Sequence, residues 1–227
     1  MTAKIIAVVN QKGGSGKTTV AMQAGGTLSL QNKKILIVDA DEQNSALEWA
    51  AMASEGNPFP SRVINLAKAG MKIHQEIKKF IDDYEIIIVD CPPAADSPIA
   101  KSALLVSDVA LVPFIPDGLN MLAAVKIRDT IDSAKVLNQN LNSLLVLNRV
   151  EPNTTLTRTV IDLLPQFNMN VANTSIHKRT HYAESVLSGA TVHVFKSKAK
   201  EAIEEIEQFC NEILVFVGIN QLEEKNG

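Results

Sequence analysis

Residues 12–18 read Lys12-Gly13-Gly14-Ser15-Gly16-Lys17-Thr18, a set of residue types suited to holding phosphate. Glycines at these spacings let backbone N–H groups close around an anion where bulkier side chains would block the approach. A helix starting near Lys17 would add its positive end to the same spot. The Lys17 ammonium can reach the β- and γ-phosphates of a nucleotide, and the Thr18 hydroxyl can ligate Mg²⁺. The frame continues into Thr19 and follows G-x-x-x-x-G-K-T, with its first glycine slot met only loosely. A glycine-rich turn without a ligand is the bland alternative, and the setting between a strand and a helix argues against it.

Three acids accompany this loop. Asp39 and Asp41 follow the apolar run Ile35–Val38, and Asp90 ends the run Ile86–Val89. A carboxylate at the end of an apolar strand is costly unless it serves a metal or a hydrogen-bond network. Asp90 is therefore expected beside Mg²⁺, with a plain capping role as the alternative for Asp39 or Asp90.

The elements that must position these groups are legible as alternation. Apolar runs at Ile5–Val9, Ile35–Val38, Ile86–Val89, Val109–Pro113 and Ser143–Leu147 are short and mostly continuous, as in parallel strands covered on both faces. A weaker one lies at Val171–Ile176. Helical patterns fall near Thr18–Gln31, Ser45–Ala53, Met71–Phe80, Ile99–Val106, Asn120–Leu137, Thr155–Leu164 and Ser197–Val215. The expected fold is α/β, a doubly wound, mostly parallel sheet flanked by helices, with ligands at the carboxyl ends of the strands. One domain over residues 1–220 is expected, followed by a disordered polar tail at 221–227.

Composition narrows the class. The 227 residues are 46 % hydrophobic and 21 % charged, with net charge −3, so nucleic acid would have to bind a local patch. Cys91 and Cys210 form no C-x-x-C pair, which points to a reducing cytosol rather than a disulfide framework. No apolar stretch is long enough to span a membrane. A cytoplasmic protein is expected.

The segment K-G-G-S-G-K-T-T resembles the deviant Walker A motif of the ParA/MinD family, the partition and positioning ATPases. By that resemblance ATP and Mg²⁺ are the cofactors, and Lys12 reaches across a nucleotide-sandwich homodimer to the partner's phosphates. A solvated loop lysine is the alternative for Lys12. Asp39-Ala40-Asp41-Glu42-Gln43 is similar to the family's D-x-D-P-Q segment, with Glu42 in place of proline. The resemblance implies that Asp39 helps order the Mg²⁺ shell and that Asp41 activates the attacking water. Asp90-Cys91-Pro92-Pro93 looks like the Walker B continuation D-x-P-P. Asn148 matches an asparagine that contacts adenine in MinD-like members, and a turn-forming role stays open. The loop Val112–Asp117 resembles a segment near the dimer face. Trp49 is left between a core anchor and part of that face.

The resemblance runs from Lys4 to about Val215, loosely in the last third. Two features point to the small plasmid-type branch: no room for an N-terminal helix-turn-helix, and no basic amphipathic membrane helix near the C-terminus. Between Thr174 and Lys200 five basic residues face one acid, a local charge of +4 against −7 for the rest. Ile176–Ser185 resembles the segment with which small ParA proteins bind DNA without regard to sequence. Lys178, Arg179, His181, Lys196, Lys198 and Lys200 are the implied DNA contacts, and a solvated charged face is the alternative. The leading reading is a DNA partition ATPase that associates with the nucleoid when ATP-bound and is released by a small ParB-like centromere-binding partner. A protein-cargo positioning ATPase and a metabolic P-loop enzyme remain as alternatives. The chain lacks the cluster cysteines of an iron protein.

Overall fold

The computed structural model describes residues 2–152 and 154–219, so the expected tail at 221–227 lies outside the described residues. The first half runs β1 Lys4–Val8, α1 Lys17–Leu30, β2 Ile35–Asp39, α2 Ser45–Ala51, β3 Arg62–Asn65, α3 Ile73–Ile77, β4 Ile86–Asp90 and α4 Pro98–Leu104. The second runs β5 Val109–Phe114, α5 Gly118–Lys135, β6 Asn142–Val150, α6 Thr155–Leu163, β7 Asn170–Val171, β8 Ile176–His177, α7 Thr180–Leu187 and α8 Lys200–Phe216. The strands form one sheet in the order β3-β2-β4-β1-β5-β6-β7, with β8 also beside β6. Among the described residues every pairing between these strands is parallel. The expected α/β sheet is thus observed, with β1 central and the loops after β1, β2 and β4 converging at one edge.

Burial on both faces explains the continuous apolar runs. Along β4, Ile86 and Ile88 enter the core beneath α1 and α8, while Ile87 and Val89 enter the opposite core beneath α3, α4 and α5. A third cluster, built on Phe114, Leu145, Leu147, Val160 and Phe167, seats α6. Helix α1 is buried along most of its length because β2 and β4 cover one side and α8 the other. At Gly26 a Cβ would come within 2.3 Å of Thr191 Cγ2, so the close approach requires glycine.

Several boundaries differ from the expectation. The helix expected at Met71–Phe80 is only α3, flanked by 3₁₀ turns at 67–72 and 78–80, with Gly70 at φ +54° breaking the first. The strand expected at Val171–Ile176 is two short pieces, β7 and β8. The helix expected at Ser197–Val215 begins at Lys200, after a 3₁₀ segment at 192–199 kinked at Lys196. Strand β3 and helix α7 had no expected counterpart. β3 is a half-buried sheet edge with Arg62 exposed, so its apolar signal is diluted.

Candidate functional site

The loop between β1 and α1 is held from both sides. Asn10 is buried and donates from Nδ2 to the Pro113 carbonyl at 2.5 Å, while its Oδ1 accepts the Lys12 N–H at 3.0 Å. On the far side Asn148 Nδ2 donates to the Ser15 carbonyl at 2.9 Å. Gly16 caps α1 with φ +89°, and a Cβ there would lie 2.2 Å from Asn148 Nδ2. Side chain and backbone demands therefore coincide on glycine at this residue. Cβ atoms built at Gly13 and Gly14 would meet nothing within 4 Å, so the loop presents bare backbone to open space.

That space is a cleft of about 380 Å³, lined by residues of the loop with Asp41, Trp49, Pro93 and Arg149 among others. Lys17 is nearly buried, and its Nζ lies 3.5 Å from the Lys12 carbonyl. Burial lowers the Lys17 pKa, against the opposing pull of Asp90. Asp90 is 1 % exposed, and its pKa is pushed up to about 7 by burial, with Thr18 hydrogen-bonded to it in opposition. Its Oδ1 has no hydrogen-bond partner. A buried orphan carboxylate oxygen beside a threonine hydroxyl suits a hard divalent cation, which takes few protein ligands and keeps water and phosphate oxygens. Asp90 and Thr18 thus have the chemistry that an Mg²⁺ site asks of them. No group of three or more His, Cys, Asp or Glu suited to a metal occurs among the described residues, so a cation here would take most of its ligands from phosphate and water.

Asp39 is placed differently. It is fully buried, and its Oδ1 accepts the Asp41 N–H at 3.0 Å. Its Oδ2 accepts from Ala46 and Leu47 at 2.9 and 3.1 Å. Its Oδ1 is thus tied to the loop after β2 and its Oδ2 to the start of α2. Burial still raises its pKa, with those backbone bonds opposing the rise. Asp41 does line the cleft, its carbonyl held by Asn65 Nδ2 at 3.1 Å and its Oδ1 accepting from the Gln43 N–H at 3.1 Å.

Lys12 Nζ lies 3.9 Å from Asp117 Oδ2, at the end of the loop after β5, and is half-exposed. Trp49 is buried and donates from Nε1 to the Ala190 carbonyl at 3.1 Å, which makes it a core anchor with one edge on the cleft. Asn148 is 2 % exposed, with Nδ2 on Ser15 and Oδ1 accepting the Arg149 N–H at 3.0 Å. These two bonds brace the loop and leave one Nδ2 hydrogen and one Oδ1 lone pair of the amide uncommitted.

The basic segment is not the open patch that its local count suggests. Lys178 Nζ pairs with Glu151 at 2.6 Å. Arg179 bridges Glu201 and Glu205, the latter at 2.5 Å. Lys200 faces Glu204 at 3.7 Å, and the His181 ring packs on Phe195 at 5.4 Å between centroids. Lys196 and Lys198 are exposed, with no ion pair among the described residues. The compensating acids lie outside the counted segment, most of them on α8. Asn10 and Arg149 are site residues that motif reading passed over; a single polar residue after an apolar strand is too weak a signal to mark them.

A phosphate-cradling loop at the carboxyl edge of a parallel sheet, over a buried acid and a lysine, defines a P-loop nucleotide-binding protein. The chain belongs to the CobQ/CobB/MinD/ParA nucleotide-binding domain family, whose model matches residues 6–192. That family's ParA and MinD members are P-loop ATPases. Among the relatives, the maintenance of carboxysome distribution protein A of Halothiobacillus neapolitanus is 30 % identical over 209 residues, covering 92 % of this chain and 95 % of that one. The chromosome-partitioning ATPase Soj of Thermus thermophilus is 24 % identical over 243 residues, covering 89 % and 96 %. The structure of Cyanothece McdA in complex with ATP superposes with a TM-score of 0.78 at 16 % identity, covering 98 % and 99 %, a likeness of fold. No helix among the described residues is long and apolar enough to cross a membrane.

Proposed function

We propose that this chain is a Mg²⁺-dependent ParA-type ATPase that distributes a large protein cargo within the cell. The observation that carries the ATPase part is the orphaned Asp90 oxygen beside Thr18, under a loop of bare backbone. When bound, Mg²⁺ would neutralise phosphate charge; Asp90 and Thr18 would hold it, and Lys17 would face the β- and γ-phosphates. Asp41, the one acid in the described lining of the cleft, would orient the attacking water. Lys12 precedes Gly13 of the cleft lining, and its half-exposed side chain with a long contact to Asp117 would be able to serve a partner's phosphates in a nucleotide-gated homodimer.

Relatedness to a carboxysome distribution protein over nearly the whole chain favours a protein cargo over the DNA partition suggested by the motifs alone. DNA partition remains the second reading, supported by the relationship to Soj. In either case non-specific DNA is the expected track, a small partner protein is the expected trigger of hydrolysis, and ATP-bound protein is expected on the nucleoid. Exposed Lys196 and Lys198 are then the ready phosphate contacts, while Lys178 and Arg179 must first leave their carboxylates.

The test has two layers. Lys17→Ala should abolish ATP binding in a nucleotide titration, and Asp41→Ala should retain binding but slow hydrolysis and leave a persistent dimer on size exclusion. Normal turnover by the Asp41 variant would remove it from that role. Random-sequence duplex should bind with ATP and not with ADP, and more weakly as salt rises. In the source cell, deleting the gene should mis-space a protein body and leave replicon inheritance intact; plasmid loss with normal spacing would instead select the partition reading.

A further inference from the structure

Strand β6 carries an irregularity one residue beyond Asn148. Its pairing with β8 joins Asn148 to Ile176 and Val150 to His177, which leaves Arg149 as an extra residue without a partner across the ladder. Arg149 also adopts a left-handed backbone, φ +52°. A non-glycine residue holds that conformation at a cost in free energy, and such residues gather where geometry serves a ligand. An inserted residue in a strand re-aims its side chain, a device common beside binding sites. Here it brings Arg149 into the lining of the nucleotide cleft, together with Gly16, Lys17, Thr18 and Thr19.

The placement is fixed by the loop's own brace. Asn148 Oδ1 accepts the Arg149 N–H at 3.0 Å while the same amide donates to Ser15. One buried side chain therefore sets both the phosphate loop and the arginine that faces it. Among the described residues no ion pair or hydrogen bond engages the Arg149 guanidinium. Lys17 and Arg149 are the two cations in the described lining of the cleft, and Asp41 is its one acid.

We propose that Arg149 is a further nucleotide-binding residue whose guanidinium pairs with the phosphates from the β6 side of the cleft. A planar fork of donors suits phosphate oxygens, and an arginine without a carboxylate partner gives up no ion pair to reach them. The inference rests on the reading of this cleft as an ATP site. The strain at Arg149 is then retained for the ligand and not for the fold.

Arg149→Gly separates these roles, because glycine accepts the left-handed backbone and keeps the N–H to Asn148. Its melting temperature without nucleotide should match or exceed that of the parent chain. Its dissociation constant for ATP with Mg²⁺ should rise about tenfold, the loss expected for a charged hydrogen bond, with a shallower salt dependence. Arg149→Lys should recover part of the affinity. Unchanged affinity in the glycine variant would overturn the inference while leaving the ATP site intact. A changed preference for ATP over GTP with unaltered salt dependence would also overturn it, in favour of a base contact. Failure of the parent chain to bind ATP would remove both readings together.

Discussion

Asp39 and Asp90 stand side by side at the ends of β2 and β4, paired in register across the sheet, yet they do different work. Both are buried aspartates that end an apolar run. Asp39 accepts three backbone N–H groups, with a partner on each oxygen, and so it ties β2 to α2. Asp90 keeps one oxygen without a partner, and burial pushes its pKa up to about 7. The difference lies in the course of the chain beyond each strand. After β2 it doubles back within seven residues to offer helix donors; after β4 it runs into Pro92 and Pro93, which have no N–H to offer. A carboxylate is structural where the backbone returns to it and is available for chemistry where the backbone does not.

The comparison is broken most forcefully at Asp39. Asp39→Ala orphans three backbone donors, that of Ala46 buried, and should lower unfolding free energy by about 2–3 kcal/mol, read by denaturant titration. Nucleotide should rescue little of this, because the damage is to the β2–α2 joint. If the variant melts normally but fails to respond to Mg²⁺, Asp39 belongs with the metal after all. Asp90→Asn should do the reverse: a metal-free melting temperature no lower than that of the parent chain, and Mg²⁺ affinity weaker by about tenfold to a hundredfold.

Asn148→Ala sharpens the contrast on the other side of the loop. Loss of the brace under Ser15 should cost about 1–2 kcal/mol of stability and weaken ATP and GTP alike. A selective loss of ATP would show the amide reading adenine instead. The smallest effect is expected far from the cleft, at Glu205, where burial pushes the carboxyl pKa up but Arg179 and the His177 N–H pull it further down, for a net lowering. A depressed native pKa means stability that is full above the usual glutamate range and is lost as pH falls through the lowered value. Glu205→Gln should therefore flatten the acid limb of stability against pH by lowering neutral stability modestly toward the low-pH value; an unchanged acid limb would show that the network adds nothing.

What could be read in the sequence was local. The phosphate loop is one contiguous segment, and β1, β2, β4 and β5 are continuous apolar runs because both faces of the sheet are covered. The division of labour between Asp39 and Asp90 was not legible, since it depends on which backbone donors fold back. Nor was the neutralisation of Arg179, whose partners Glu201 and Glu205 lie 22 and 26 residues away. A charge count along a segment treats neighbours in sequence as neighbours in space, and α8 defeats that by laying acids along it. Trp49 was ambiguous for the same reason: its partner Ala190 is 141 residues distant.

The packing of α8 on α1 has a consequence for how the chain comes off the ribosome. Cys210 Sγ lies 3.6 Å from the Ala24 carbonyl, across 186 residues, and Phe209 and Ile213 share the core with Val20 and Leu28. The helix that continues the phosphate loop is thus translated early and covered late. Until residues 200–216 emerge, one flank of α1 is an uncapped apolar surface. A nascent chain stalled before that point has every motif needed to grip phosphate but no lid over the helix on which the grip is mounted. Nucleotide and a chaperone would then meet the same half-built domain, one at its edge and the other at its uncovered flank.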